Sequence, residues 1–201
     1  MLFGANTSRS AAPDPVPADT SVEAGFARDM QVHHSQAVEM STIVRDRTED
    51  QTIRTLALDL MLTQQQQAGQ MYGWLEQWDL PQASTAAPME WMAKDGDDMA
   101  AMGHGEPSPP PGEDRATVTM PGMATDEDLR LLRELEAQEA EVLYLQLMIA
   151  HHQGGVDMAG AALAAADDDD VLRLAHAVVD SQTAEIAVLN ELLAERVAAG
   201  N

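Results

Sequence analysis

The sequence predicts an all-α protein, an antiparallel four-helix bundle assembled from two related helical hairpins. Three observations carry this expectation. Apolar residues recur at helical spacing in four separate stretches. One phrase, Met-x2-His-His-x5-Met, occurs twice, as Met30, His33, His34, Met40 and as Met148, His151, His152, Met158, offset by 118 residues (148 − 30). Between the copies, residues 81–124 lose all periodicity and fill with Pro, Gly, Asp and Met, a composition that reads as a long connection. A chain of 201 residues suffices for one core of ordinary size, so one bundle is expected over residues 21–198, with hairpins at 21–80 and 125–198.

Residues 1–20 carry Pro13, Pro15 and Pro17 among Ala, Asp and Ser and are expected to form a disordered, extended tether. Order is expected to begin at Asp19, Thr20 or Ser21, each able to cap a helix through Phe26, Met30, His33, Ala37 and Met40. A polar break at residues 45–50 precedes a second helix, for which Thr48 and Gln51 make a capping-box pair. Ile53, Leu56, Leu60, Gln64, Gln67, Met71 and Leu75 follow at helical spacing, and the helix must stop before Pro81. Helical pattern returns after Thr125, where Asp126, Glu127 and Asp128 suit a helix N-terminus and its dipole. Leu129, Leu132, Leu135, Val142 and Leu145 lead into the second motif at Met148. The acidic run 167–170 opens a last helix with Val171, Leu174, Val178, Ile186, Leu189 and Leu193 on its apolar side.

The offset pairs more than the motif. Val38 matches Val156, Asp50 matches Asp168, Leu56 and Ala57 match Leu174 and Ala175, and Gln64 matches Gln182. Each hairpin has an apolar stripe that it cannot cover alone, and packing the two together buries both.

Asp and Glu outnumber Lys and Arg by 34 to 11, giving a formal charge of -23. Such a surface argues against binding a nucleic-acid backbone, which needs basic groups to displace counterions. It attracts cations without selectivity, and it is equally what a plain, self-repelling soluble surface looks like. With no cysteine, a disulfide, a thiolate metal site and a Cys nucleophile are excluded, so any soft ligand must be methionine. Thirteen methionines stand beside three Trp, two Tyr and two Phe, although Met also fills irregular cores. Met1-Leu2-Phe3-Gly4 shows no signal-peptide pattern, and no apolar run reaches the length of a membrane span.

A helical residue advances about 100°, so with Met30 at zero, His33 lies near −60°, His34 near +40°, Ala37 near −20° and Met40 near −80°. All five share a face, but the adjacent histidines diverge, so one helix offers half-sites. Imidazole nitrogen with thioether sulfur is a soft ligand set that suits Cu(I), and by extension Ag(I), better than hard cations. The competing reading makes the methionines core filler and each His pair a hydrogen-bonded polar seam. Ala37 and its counterpart Gly155 keep space between the ligand candidates. Gly154 and Gly155 imply close approach of another backbone, a kink, a metal-bearing loop, or a local helix break.

Met89, Met92, Met99, Met102, His104, Met120 and Met123 in the connection form a second candidate set, since Met in a polar, Pro-rich loop has no core to fill. The alternative is that Met120-Pro121-Gly122-Met123 docks on the bundle. Gln64 and Gln67 answer Gln182 and Glu185 as residues able to orient the His rings, or to close hydrogen bonds inside the bundle. His176 stands alone and is expected to be a surface or partly buried histidine.

Phe26-x3-Met30-x2-His33-His34-x2-Ala37-x2-Met40, Met120-Pro121-Gly122-Met123, the stretch from Leu147 through His151-His152-Gln153-Gly154-Gly155 to Met158-Ala159, and Gln182-x2-Glu185-Ile186 resemble the DUF305 family. The resemblance spans about residues 21–193. It implies a ferritin-like helical bundle, copper binding of the CopM kind, and an extracytoplasmic location, secreted, periplasmic or at the cell surface. A copper-transport or copper-resistance partner would follow. Gln67-Ala68 stands where the second half has Glu185-Ile186, so the halves need not bind alike.

A carboxylate-bridged di-iron oxidase on the same scaffold would need paired Glu-x2-His segments, and the chain has none. A purely structural or partner-binding bundle is the other alternative. The sequence is thus expected to encode a non-enzymatic protein that sequesters or passes on Cu(I) through its two Met/His faces.

Overall fold

Ser21 starts the first helix by accepting a hydrogen bond from the Ala24 amide, which settles the choice among the three candidate caps. The computed structural model describes residues 16–94 and 120–199, so the tether up to residue 15 and Met99, Met102 and His104 of the connection lie outside the described residues. Five α-helices follow one another: α1 (Val22–Arg47), α2 (Gln51–Gln77), α3 (Asp126–Glu134), α4 (Ala137–Ala165) and α5 (Asp169–Ala199). A 3-10 turn covers Glu90–Lys94, and no strand occurs among the described residues.

The capping box expected from Thr48 and Gln51 does not form. Asp50 caps α2 by accepting from the Ile53 amide, while the Thr48 hydroxyl donates to Glu141 of α4. Its repeat partner Asp168 caps α5 in the same way, accepting from the amides of Asp170 and Val171. Thr125 caps α3 in a full capping box with Asp128.

The helix expected to run from Thr125 into the second motif is broken in two. Leu135 and Glu136 are extended, and Ala137 takes φ +49°, a left-handed conformation that costs a non-glycine residue about 1–2 kcal/mol. The break has a packing reason. α4 begins at the end of the bundle, and an unbroken helix would carry Leu129 and Leu132 away from it; turned back, α3 buries both and pairs Arg133 with Glu39 of α1.

α1 and α2 form one antiparallel hairpin, α4 and α5 the other, and α1 packs antiparallel against α4 across an approximate twofold. Two apolar clusters result. One joins Phe26, Met30, Met71, Leu75, Met158, Val171 and Val178, and the other joins Met40, Val44, Ile53, Leu60, Tyr144, Leu145, Met148 and Leu189. Between them every long helix inserts a pair of polar side chains: His33 and His34, Gln64 and Gln67, His151 and His152, Gln182 and Glu185. The core is therefore two apolar blocks separated by a polar layer.

The twofold extends to a pair that pattern reading passed over. Glu23 near the start of α1 accepts from the Asp167 amide in the α4–α5 turn, and Glu141, at the same repeat position, accepts from Thr48 in the α1–α2 turn. Both are buried, and Arg196 joins Glu141 and Asp50 at 3.1 Å each. Each hairpin start is thus tied to the other hairpin's turn.

Parts of the connection also pack. Asp29 accepts from the Met89 amide at 2.7 Å and the Trp91 indole at 2.8 Å, which seats Trp91 over Gly25. Residues 120–124 form a strap over α1 and α4, with Met120-Pro121-Gly122-Met123 closing a turn that has Gly122 at φ +72°. Met89, Met92, Met120 and Met123, expected to have no core to fill, all pack on the first apolar cluster.

α4 is continuous through Gly154 and Gly155, so the helix-break alternative is not realised. A Cβ on Gly154 would overlap the Pro121 carbonyl, whereas one on Gly160 of the same helix would meet nothing within 4 Å. Gly154→Ala is therefore expected to lower stability by about 1–3 kcal/mol by pushing on the strap. Gly160→Ala should raise it by up to roughly 1 kcal/mol through helix propensity. Urea denaturation midpoints of the two variants check the opposite signs.

Candidate metal centre

Two residues from each long helix meet at one level of the bundle because their spacing of one or three keeps them on the inward face. The four imidazoles are fully buried, and Gln64, Gln67 and Gln182 nearly so, while Glu185 keeps 26% of its side chain exposed. The expected divergence within each motif is present: the rings of His33 and His34 lie 6.4 Å apart between centroids, as do those of His151 and His152. What the motif cannot do within one helix the bundle does between helices. His33 and His151 stack across the twofold at 3.7 Å with 29° between their planes.

Every ring is held through Nε2, and every partner is an oxygen acceptor. His33 Nε2 donates to the Pro121 carbonyl at 3.1 Å, and His151 Nε2 donates to the His33 carbonyl at 2.9 Å. His34 Nε2 donates to Gln67 Oε1 at 2.7 Å, and His152 Nε2 donates to the Glu185 carboxylate at 2.8 Å. With the proton on Nε2, Nδ1 of each neutral ring carries the lone pair. All four Nδ1 atoms are buried without a hydrogen-bond partner, as are both amide atoms of Gln64 and of Gln182. Ten buried side-chain polar atoms among the described residues lack a partner, and these eight belong to the layer. A buried polar group left unpaired costs about 1–3 kcal/mol, so the layer concentrates an energetic penalty in one place.

Burial also disfavours protonation of His33, His34 and His151. Desolvation holds His33 down to about 4 against an ordinary 6.5, its hydrogen bond to Pro121 opposing the shift. His34 is pushed to about 3 by burial, with His33 adding to the effect. His151 lies well below its ordinary value for the same first reason, with charge on the neighbouring histidines second. Beside the layer, burial raises the Tyr144 phenol, whose hydroxyl meets Ser41 Oγ at 3.1 Å, and the charge of Glu185 raises it further.

The motif methionines flank the layer in exchanged pairs. Met30 and Met158 belong to one apolar cluster, Met40 and Met148 to the other, and all four are fully buried. Among the described residues no three His, Asp or Glu side chains are grouped to hold an ion, so the imidazoles alone do not make a finished site. In donor chemistry the set nonetheless suits a soft cation: imidazole nitrogens without a partner, and methionine thioethers in the apolar clusters on either side. Gln67 and Glu185 contact the rings they were expected to orient, whereas Gln64 and Gln182 have amides free of any partner. His176 is exposed on α5.

Two contributors escaped sequence reading. Gln36 clamps the strap, accepting from the Ala124 amide at 2.7 Å and donating to its carbonyl at 2.9 Å. The Pro121 carbonyl supplies the His33 acceptor through backbone alone, which no side-chain pattern reveals. The nearest signal was the mismatch of Gln36 with Gly154 at the repeat offset, since Gln36 grips the strap and Gly154 makes room for it.

Comparison with known proteins places the fold and the family. A DUF305 protein from Streptomyces coelicolor, described as a candidate secreted protein, has a crystal structure that superposes with a TM-score of 0.75 at 47% identity, covering 89% of this chain and 96% of that one. A DUF305 fragment from Deinococcus radiodurans gives 0.67 at 30% identity, over 90% and 99%. CopM in its Cu(I)-bound form shares the fold, with a TM-score of 0.61 at 18% identity over 87% and 96%. No curated protein matches. No helix of the described residues is long and apolar enough to cross a membrane. The profile of the domain of unknown function DUF305 matches residues 23–193, spanning both motifs, the strap and all five helices, and the chain belongs to the DUF305 family.

Proposed function

We propose that this protein binds copper as Cu(I), with Ag(I) as a mimic, and sequesters it or passes it on without catalysing a reaction. The observation that carries the reading is the set of four buried imidazoles whose Nε2 is tied to an oxygen and whose Nδ1 lone pair is unpartnered. Histidines that ligate metals hold the second nitrogen in this way, which fixes the tautomer and the ring plane. A soft ion bound to Nδ1 would use lone pairs that otherwise cost stability. Met30, Met40, Met148 and Met158 would supply sulfur from either side, and His33, His34, His151 and His152 the nitrogen.

Solved CopM structures with Cu(I), Cu(II) and silver share the fold at 18–20% identity and support the reading as precedent for metal binding on this scaffold. We place the protein outside the cytoplasm, in line with the description of the Streptomyces protein, where a copper-transport or copper-resistance partner would receive or supply the ion. Met89, Met92, Met120 and Met123 are less suited to first contact than expected, because they pack on the apolar cluster. That same packing favours the second reading, a bundle whose methionines are purely structural.

Titration of the metal-free protein with Cu(I) against a competing chelator separates the two readings. Replacing His33, His34, His151 and His152 with Gln is expected to remove the tightest binding. Saturating Cu(I) should also raise the denaturation midpoint of the native chain, by about 2.7 kcal/mol at a hundred times Kd. Binding no tighter in the native chain than in the four-fold variant would leave the structural reading.

The metal-free protein should be sensitive to acid in a particular range. Below pH 6.5 the unfolded chain takes up protons that the buried rings refuse, His33 until about pH 4, His34 until about pH 3 and His151 until well below its ordinary value. The unfolded state then binds more protons, so stability is fully present above about pH 6.5 and falls as pH is lowered toward 4. Each histidine contributes up to roughly 1.4 kcal/mol per pH unit. Urea midpoints between pH 7 and pH 5 should show this slope, undiminished in His176→Gln and shallower in His34→Gln.

A further inference from the structure

The two halves of the polar layer are held by the same geometry with different charge. His34 donates to the amide of Gln67 at 2.7 Å and His152 to the carboxylate of Glu185 at 2.8 Å, and the two acceptors occupy equivalent repeat positions. Any ion in the layer must shed its water, because the rings around it are fully buried. Around it stand imidazole rings, the amides of Gln64, Gln67 and Gln182, and the thioethers, none of which carries a negative charge. Glu185 is the one carboxylate hydrogen-bonded to a histidine of the layer among the described residues. A desolvated cation without a counter-charge is strongly disfavoured, and each carboxylate compensates one positive charge.

Building on the copper-binding reading, we propose that Glu185 sets the charge and the position of the cargo: the layer is matched to one monovalent soft cation in its His152 half, with Glu185 as counter-charge acting through the ring. The Gln67 half stays neutral, so a second monovalent ion or a divalent ion in the layer would leave a positive charge uncompensated. Glu185 is here a positioning and charge-balancing residue, not a ligand. Because it is partly solvated, its effect is that of an outer-shell partner, on the order of 10–100-fold in affinity.

The test compares Ag(I) and Cu(II) binding of the full chain, each against a competing chelator, in the native protein and three variants. Glu185→Gln reproduces the arrangement that Gln67 already has, keeps the hydrogen bond to His152, and is expected to lose about 10–100-fold in Ag(I) affinity. The exchange variant Gln67→Glu with Glu185→Gln moves the charge to the other half and should restore Ag(I) binding, which a merely structural role for Glu185 would not. Gln67→Glu alone adds a second carboxylate and should raise Cu(II) affinity relative to Ag(I) by at least about ten-fold, a ratio that stays readable if Glu185→Gln fails to fold. Ag(I) affinity unchanged in Glu185→Gln, or an unshifted ratio in Gln67→Glu, overturns the charge-matching inference while leaving copper binding intact. Loss of all histidine-dependent Ag(I) binding in the native chain would instead overturn the copper reading and this inference with it.

Discussion

Desolvation of the imidazole layer is the constraint on which the rest of the structure depends. Four ring Nδ1 atoms and two amides without partners sit where a bundle of this size would ordinarily place leucine. Their cost falls at mid-height, where the two hairpins meet, and the apolar clusters on either side must outweigh it. They do so with large side chains taken fully out of water, among them Phe26, Met30, Met40, Ile53, Leu60, Met71, Leu75, Tyr144, Leu145, Met148 and Met158. Each contributes about 1.5–3 kcal/mol on burial. The crossed Glu23 and Glu141 ties then fix the hairpins in register, so that His33 and His151 arrive at the same level and stack.

The twofold is obeyed where the helices pack and broken where the layer is finished. The Asp50 and Asp168 caps, the small residues Ala37 and Gly155, and the motif methionines match across the repeat. His33, by contrast, donates to the Pro121 carbonyl of the strap and His151 to the backbone of α1, because among the described residues a strap crosses the seam on the His33 side and no counterpart crosses on the other. Gln36 and Gly154 are the two sides of that asymmetry: one position grew a clamp and the other lost its Cβ. The strap thus belongs to the layer as much as the helices do, although it arises from the stretch of lowest pattern.

Helix existence and type were legible because each apolar stripe follows a 3.6-residue period that a strand could not use. The repeat offset carried further, pairing Gln67 with Glu185 as ring holders and Asp50 with Asp168, which the structure shows to be caps although Thr48 was read as the cap. Composition favours Thr and Asp almost equally at that position, and a buried acceptor in α4 decided between them. The break at Leu135–Glu136 was illegible for a related reason. No Pro or Gly marks it, and it comes from the finite length of the bundle, a tertiary fact. In the connection, docking was kept as an alternative only for Met120-Pro121-Gly122-Met123, and Met89 and Met92 pack as well, because a polar, Pro-rich context says nothing about whether a segment folds back onto a core. The partnerless state of the Nδ1 atoms was beyond sequence altogether, since it depends on which nitrogen each backbone or side-chain oxygen reaches.

On the proposed reading, a layer whose buried lone pairs have no partner would gain from binding an ion in a way that a uniform apolar core could not. Were the rings exposed, water would satisfy Nδ1, protonation would compete near neutral pH, and an ion would gain only its coordination energy. Burial removes the water and suppresses the proton, so the lone pairs are kept for a ligand that brings no hydrogen bond of its own. On the copper-binding reading proposed above, the same burial would require the charge of the ion to be answered within the layer, where Glu185 is the carboxylate bonded to a ring among the described residues. Selectivity would then come from the desolvated surroundings as much as from the donor atoms, with sulfur and nitrogen setting the softness of the ion and Glu185 its charge.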